Sequence, residues 1–126
     1  LKDNLLKIVE DLNIRDGVCF LGFVENVYPY FQRAQVCVVS SRVEGFPNVL
    51  LQMMSQNDRV VSTICAGDID RIKGIVTCTT NDVKALEESI LKCLRQDVSM
   101  NRTYFEAELK SRTIENFMNE IEYQVL

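Results

Sequence analysis

Histidine is missing from this chain of 126 residues. Without it there is no His general base, no Ser-His-Asp arrangement and no His-ligated metal. The chain also lacks the ~18–20 continuous apolar residues that a helix needs to span a bilayer, and it shows no signal-peptide pattern. None of its five cysteines stands in C-x-x-C spacing with another, which argues against a zinc cluster. Cys19 and Cys37 lie in apolar strand-like runs and Cys93 on an apolar helix face. They read as small core residues in a reducing, cytoplasmic compartment. Basic residues are the minority: 14 Lys and Arg against 18 Asp and Glu give a net charge of −4. That balance gives no general attraction to nucleic acid or anionic membrane.

What is present is enough apolar matter for one core, 47% of the residues. The first residue is Leu1, set inside a helical pattern, so residues 1–126 are expected to be one partial domain of a longer protein. Leu1, Leu5, Ile8 and Leu12 recur at helical spacing, with Asn13 as a left-handed stop. A turn at Arg15-Asp16-Gly17 precedes a strand candidate, Val18–Leu21. Gly22 follows it. Asn26 is placed to cap a helix that carries Val27, Tyr30 and Phe31, with Pro29 in its first turn. The next strand candidates are Val36–Val39, one beginning at Val60-Val61, and Ile75–Thr77. Thr80 or Asn81 is expected to cap a helix bearing Val83, Leu86, Ile90 and Leu94. Residues 102–125 read as one or two helices broken near Ser111-Arg112-Thr113, with Phe105, Leu109, Phe117, Ile121 and Val125 on the apolar face. Strands alternating with helices imply a parallel sheet with helices on both faces.

The most informative stretch runs from Ser40 to Gln52. A buried strand leads into a small polar loop containing Gly45, and Pro47 suits the first turn of a helix reaching about Gln56. Asn57 is expected to end that helix in a left-handed cap. Such a strand–loop–helix unit points free backbone N–H groups at an anion. Glu44 beside that helix start is matched to hydroxyl groups rather than phosphate, and phosphate next to a polyol suggests a nucleotide sugar.

The run Glu44-Gly45-Phe46-Pro47-Asn48-Val49-Leu50-Leu51-Gln52 resembles the donor-binding signature of retaining glycosyltransferases of the GT-B fold, group 1 (family 4). The likeness extends over most of the chain and is densest from Val18 to Thr63. It implies a Rossmann-like α/β fold, here an incomplete C-terminal domain, and transfer of a sugar from a nucleotide diphosphate to a glycan or lipid-linked acceptor in polysaccharide biosynthesis. It assigns the catalytic role to Glu44, whose carboxylate would receive hydroxyls of the donor sugar. Gly45, Phe46, Asn48 and Val49 would offer backbone N–H groups at the phosphate and sugar. Pro47 has no N–H to give. Ser41 would line the site, and Phe23 and Val24 after Gly22 would lie beside the nucleotide base. The ring of Phe23 and the Val49-Leu50-Met53-Met54 stripe are expected to serve packing.

Gln52 departs from the pattern, which carries a second Glu there to hold the ribose. Both residues are expected on one helical face, about two turns apart. Arg59 and Asn57 also replace a usual Pro and Gly. The resemblance implies no metal and no cofactor beyond the donor. Its partners would be that donor and an acceptor bound by a missing N-terminal domain, with at most peripheral contact at the inner face of the plasma membrane. The fragment is not expected to be active alone. The rival readings are an inactive nucleotide-sugar-binding domain, a receiver-type domain, which lacks its strand-end Asp here, and a purely structural α/β domain.

Overall fold

The computed structural model describes residues 2–125, with side chains described as far as residue 113. Three strands, β1 (Cys37–Val39), β2 (Val60–Thr63) and β3 (Val76–Cys78), form a parallel sheet in the order β1-β2-β3. Cys37 pairs with Val60 and Val39 with Ser62, while Val61 pairs with Val76 and Thr63 with Cys78. Parallel strands need a crossover. Helix α3 (Asn48–Gln56) supplies the one between β1 and β2, and a loop with one 3₁₀ turn, Ile69–Arg71, supplies the next.

Because strand side chains alternate, each face of the sheet collects its own core. Cys37, Val39 and Val60 pack with Leu50, Met53, Met54, Ile69, Ile72 and Phe105. That side is covered by α3 and by α5 (Asn101–Val125). Val61 and Val76 pack on the other face with Cys93 and with the half-buried Val36, Val38, Leu86 and Ile90. There α4 (Val83–Arg95) lies over β2 and β3. The expected parallel sheet with helices on both faces is what forms.

Several local expectations change. Val18–Leu21 has no strand partner among the described residues, so it is irregular chain and not a strand. A β-ladder exists only through hydrogen bonds to a neighbour, and an apolar pattern cannot supply that neighbour. Helix α1 (Lys2–Asp11) buries only Val9, while Leu5, Ile8 and Leu12 are exposed. Asn13 does take the left-handed conformation, φ +55°. Helix α2 (Tyr28–Arg33) has Pro29 in its first turn, and Asn26 Oδ1 accepts from the Tyr28 N–H at 3.2 Å. Asp82, not Thr80 or Asn81, caps α4 by accepting from the Ala85 N–H at 2.9 Å, and Asn81 is the left-handed residue of the preceding turn. Helix α5 runs unbroken through Ser111-Arg112-Thr113. Thr113 turns its hydroxyl back onto the Leu109 carbonyl at 3.1 Å, so it bonds its own helix and does not interrupt it. Phe117, Ile121 and Val125 lie outside the described side chains.

Asn57 overturns the expectation of a left-handed stop. Its backbone is extended, φ −142° and ψ 144°. Its side chain donates to the carbonyls of Phe31 at 2.7 Å and Ala34 at 2.8 Å and accepts from the Arg59 N–H at 2.8 Å. Asn57 therefore caps the end of α2 from across the fold. Two arginines do the same for the neighbouring helices. Arg59 donates to the carbonyls of Cys93 and Gln96 at the end of α4, and Arg102 to those of Met54 and Ser55 at the end of α3. Helix C-termini carry partial negative charge and unpaired carbonyls, which guanidinium groups satisfy. The Arg59 that stands where the resembled pattern has Pro is part of this framework.

Candidate functional site

The carboxyl ends of the strands of a parallel sheet are where its loops can assemble a site. Ser40 follows β1, Thr63 ends β2 and Thr79 follows β3, and these three line one cleft of ≈ 380 Å³ with Arg42, Asn81, Asp82, Val83 and Leu86. A larger cleft of ≈ 670 Å³ opens at the other end of the sheet, among Gln35, Asn57, Asp58, Arg59 and Arg102. The side chains of Asn57, Arg59 and Arg102 there are already spent on helix-end carbonyls. Arg102 Nε also lies 3.1 Å from Asp58 Oδ1 as an ion pair without a hydrogen bond. The first cleft is therefore the better candidate for a ligand.

The loop from Ser40 to Pro47 crosses this edge of the sheet and is held at several points. The Ser41 hydroxyl donates to Glu44 Oε1 at 2.6 Å, and the Glu44 N–H donates to the Cys65 carbonyl at 2.9 Å. Thr63 Oγ1 donates to the Ser41 carbonyl at 2.6 Å. Glu44 itself is exposed, with its second carboxylate oxygen free among the described residues. It is not one of the cleft's lining residues.

Pro47 is buried, and its carbonyl accepts from the Leu50 N–H at 3.0 Å. It stands one residue before the helix, not inside its first turn. No side chain caps α3, which leaves the N–H groups of Asn48 and Val49 available at its start. Gly45 is exposed, and a Cβ there would meet nothing within 4 Å. Phe46 serves packing: its ring sits against the core and 4.1 Å under the Arg112 guanidinium.

Three sequence expectations are corrected here. Glu44 lies in the loop ahead of α3, so it and Gln52 do not share a helical face two turns apart. Val49 points outward, leaving Leu50, Met53 and Met54 as the buried stripe. Phe23 is 94% exposed and packs nowhere in this core. Gly22 has φ +65°, a conformation in which a Cβ is strained. Gly22, Phe23 and Val24 line neither cleft.

From the sequence, Thr63 starts a loop that follows a strand and converges on the same edge, with no role of its own in the site. Thr63 is 4% exposed with its hydroxyl bonded, and a buried Thr at a strand end beside a polar loop was the available signal. Among the described residues no group of three or more Cys, Asp or Glu is arranged to hold a metal ion, and no helix is long and apolar enough to cross a membrane.

The fold is an α/β domain with a polar loop and an uncapped helix start at the carboxyl edge of its parallel sheet. The profile of the family Glycosyl transferases group 1 matches residues 2–96, and the chain belongs to that family. Three curated proteins illustrate its relatives. A Campylobacter jejuni protein named N-acetylgalactosamine-N,N'-diacetylbacillosaminyl-diphospho-undecaprenol 4-alpha-N-acetylgalactosaminyltransferase is 38% identical over 63 residues, 50% of this chain and 17% of the relative. An uncharacterized glycosyltransferase of Methanocaldococcus jannaschii is 34% identical over 65 residues, 52% of this chain and 16% of its own. A lipopolysaccharide core biosynthesis glycosyltransferase of Rhizobium meliloti is 36% identical over 66 residues, 52% and 19%. The matched stretch thus covers less than a fifth of each of these relatives. No solved structure matches the chain.

Proposed function

We propose that this chain is the donor-binding part of a retaining GT-B glycosyltransferase. It takes a sugar from a nucleotide diphosphate sugar and serves transfer to a glycan or lipid-linked acceptor in polysaccharide biosynthesis. The observation that carries this reading is the Ser41–Glu44 loop, fastened at the carboxyl edge of the sheet directly before an uncapped helix. Glu44 keeps one carboxylate oxygen for the sugar hydroxyls. A hydrogen bond to a charged group contributes about 1.5–3 kcal/mol. The N–H groups of Gly45, Phe46, Asn48 and Val49 face the developing charge of the leaving diphosphate, where fixed dipoles act without reorganising. Gln52 reaches the ribose with a neutral amide. No resident metal enters this scheme.

The relatives' names support the acceptor class: one carries an undecaprenol diphosphate and another belongs to lipopolysaccharide core biosynthesis. On this reading the protein works in the cytoplasm, at most peripheral to the membrane, with acceptor contacts made outside these residues.

A second reading, a nucleotide-sugar-binding domain without turnover, is favoured by Gln52 in place of the second Glu. Titrating UDP-, GDP- and ADP-sugars into the full-length protein, with transfer assayed alongside, decides between them. Saturable donor binding with transfer supports the enzyme. Binding with no transfer supports the second reading, and binding of no nucleotide sugar defeats both.

A further inference from the structure

We propose that Thr63 is a positioning residue that sets the direction of the Glu44 carboxylate through Ser41. The inference rests on the donor-binding reading above. Thr63 is the last residue of β2 and is held in register opposite Cys78 of β3, so its Cα is fixed by the sheet. Its hydroxyl donates to the Ser41 carbonyl at 2.6 Å, with the Val39 carbonyl a longer contact at 3.5 Å. Ser41 in turn donates its own hydroxyl to Glu44 Oε1 at 2.6 Å. Two residues further on, the Cys65 carbonyl accepts the Glu44 N–H at 2.9 Å. One strand end therefore holds both ends of the segment that aims the carboxylate.

The choice of residue at this position carries the argument. Val has the same shape as Thr, is at least as favourable in a strand, and brings no hydroxyl to desolvate. A role in packing alone would be met by Val. The Thr hydroxyl adds a fixed point for the Ser41 peptide, and orientation of the peptide orients the side chain attached to it. A misdirected carboxylate still meets the donor but holds its sugar out of line with the leaving diphosphate, which costs turnover more than binding. Thr63 also lines the cleft at this edge, together with Ser40 and Arg42 of the same loop.

The test compares Thr63→Val, Thr63→Ser and Ser41→Ala with wild type in the full-length protein. The first readout is amide hydrogen exchange without ligand. We expect exchange at residues 41–44 to speed up at least about fivefold in Thr63→Val, with the rest of the sheet unchanged, and to return to wild-type rates in Thr63→Ser. Unchanged exchange in Thr63→Val, or an increase spread evenly over the chain, overturns the inference. The second readout is transfer from UDP-N-acetylgalactosamine. We expect kcat to fall about tenfold in Thr63→Val and Ser41→Ala, KM to stay within about twofold, and Thr63→Ser to be rescued. A rise in KM at constant kcat counts against it. A wild type that binds no nucleotide sugar defeats the functional reading, and the exchange result still decides the role of Thr63.

Discussion

The guanidinium of Arg112, on α5, lies 4.1 Å from the centre of the Phe46 ring. It is held in place by Glu108, one turn earlier, whose Oε1 accepts from Arg112 Nε at 3.0 Å. The long last helix thereby clamps the loop that carries Glu44 and Gly45 from the side opposite Thr63. A residue distant in sequence thus shares in fixing the candidate site.

Arg112→Ala should weaken that clamp. A cation–π contact at a partly exposed position contributes about 0.5–1 kcal/mol, and Arg112→Lys should retain part of it. Urea midpoints measure the difference, and an Ala variant as stable as wild type refutes the contact's contribution.

Glu44→Gln should lower turnover at least about a hundredfold in the full-length enzyme while changing stability by less than about 0.5 kcal/mol, because the side chain is exposed. Gln52→Glu should tighten donor binding about tenfold, the difference between a neutral and a charge-assisted bond to ribose. Calorimetric titration checks the second, and a full-rate Glu44→Gln sinks the first.

Asn57→Ala removes the donors to Phe31 and Ala34 and the acceptor for Arg59. Partly buried groups left unpaired cost about 1–3 kcal/mol, so this variant should lose stability in that range. Asn57→Gly, which a left-handed cap would favour, should be no better. Denaturant unfolding of the two variants decides it.

Gly74 has φ +98°, and a Cβ built there would stand 2.9 Å from Phe105 Cε1 and 3.1 Å from Asn101 Oδ1. Gly74→Ala should cost about 2–4 kcal/mol through strain and overpacking together. At Gly17 a Cβ meets nothing within 4 Å, so Gly17→Ala should be close to neutral. Thermal midpoints of the pair report the contrast.

Burial, and then the nearby Cys93 thiol, push the Cys37 thiol up from its ordinary 9.0 to about 11. The folded state therefore holds this proton more tightly than the unfolded chain. The stabilisation is fully present below about pH 9 and is lost as pH rises from there through about 11. Cys37→Val should flatten the alkaline fall in urea midpoint relative to wild type. At neutral pH a thiol reagent should reach the exposed Cys19 first, since Cys37, Cys65, Cys78 and Cys93 are buried.

The parallel sheet, the two-sided helical cover and the loop at Glu44 were legible because each is written in local signals. Val36–Val39 and Val60-Val61 are apolar runs of strand length, and Pro47 and Gly45 mark the turn into α3. Gln52 was legible as a departure, but not its position relative to Glu44, because a helix start can shift by a residue and carry a side chain off the helical face.

What the sequence determined by itself is which segments are helix or strand in the core and which short run brings polar groups to the sheet's edge. These follow from side-chain periodicity and turn chemistry within a few residues of each other. The tertiary structure alone decided that Val18–Leu21 pairs with nothing described, that Asn57, Arg59 and Arg102 close the ends of other helices, and that Thr63 and Arg112 hold the Glu44 loop from two sides. Each of these joins groups distant along the chain, where the partner is chosen by packing in space and leaves no periodic mark in the sequence.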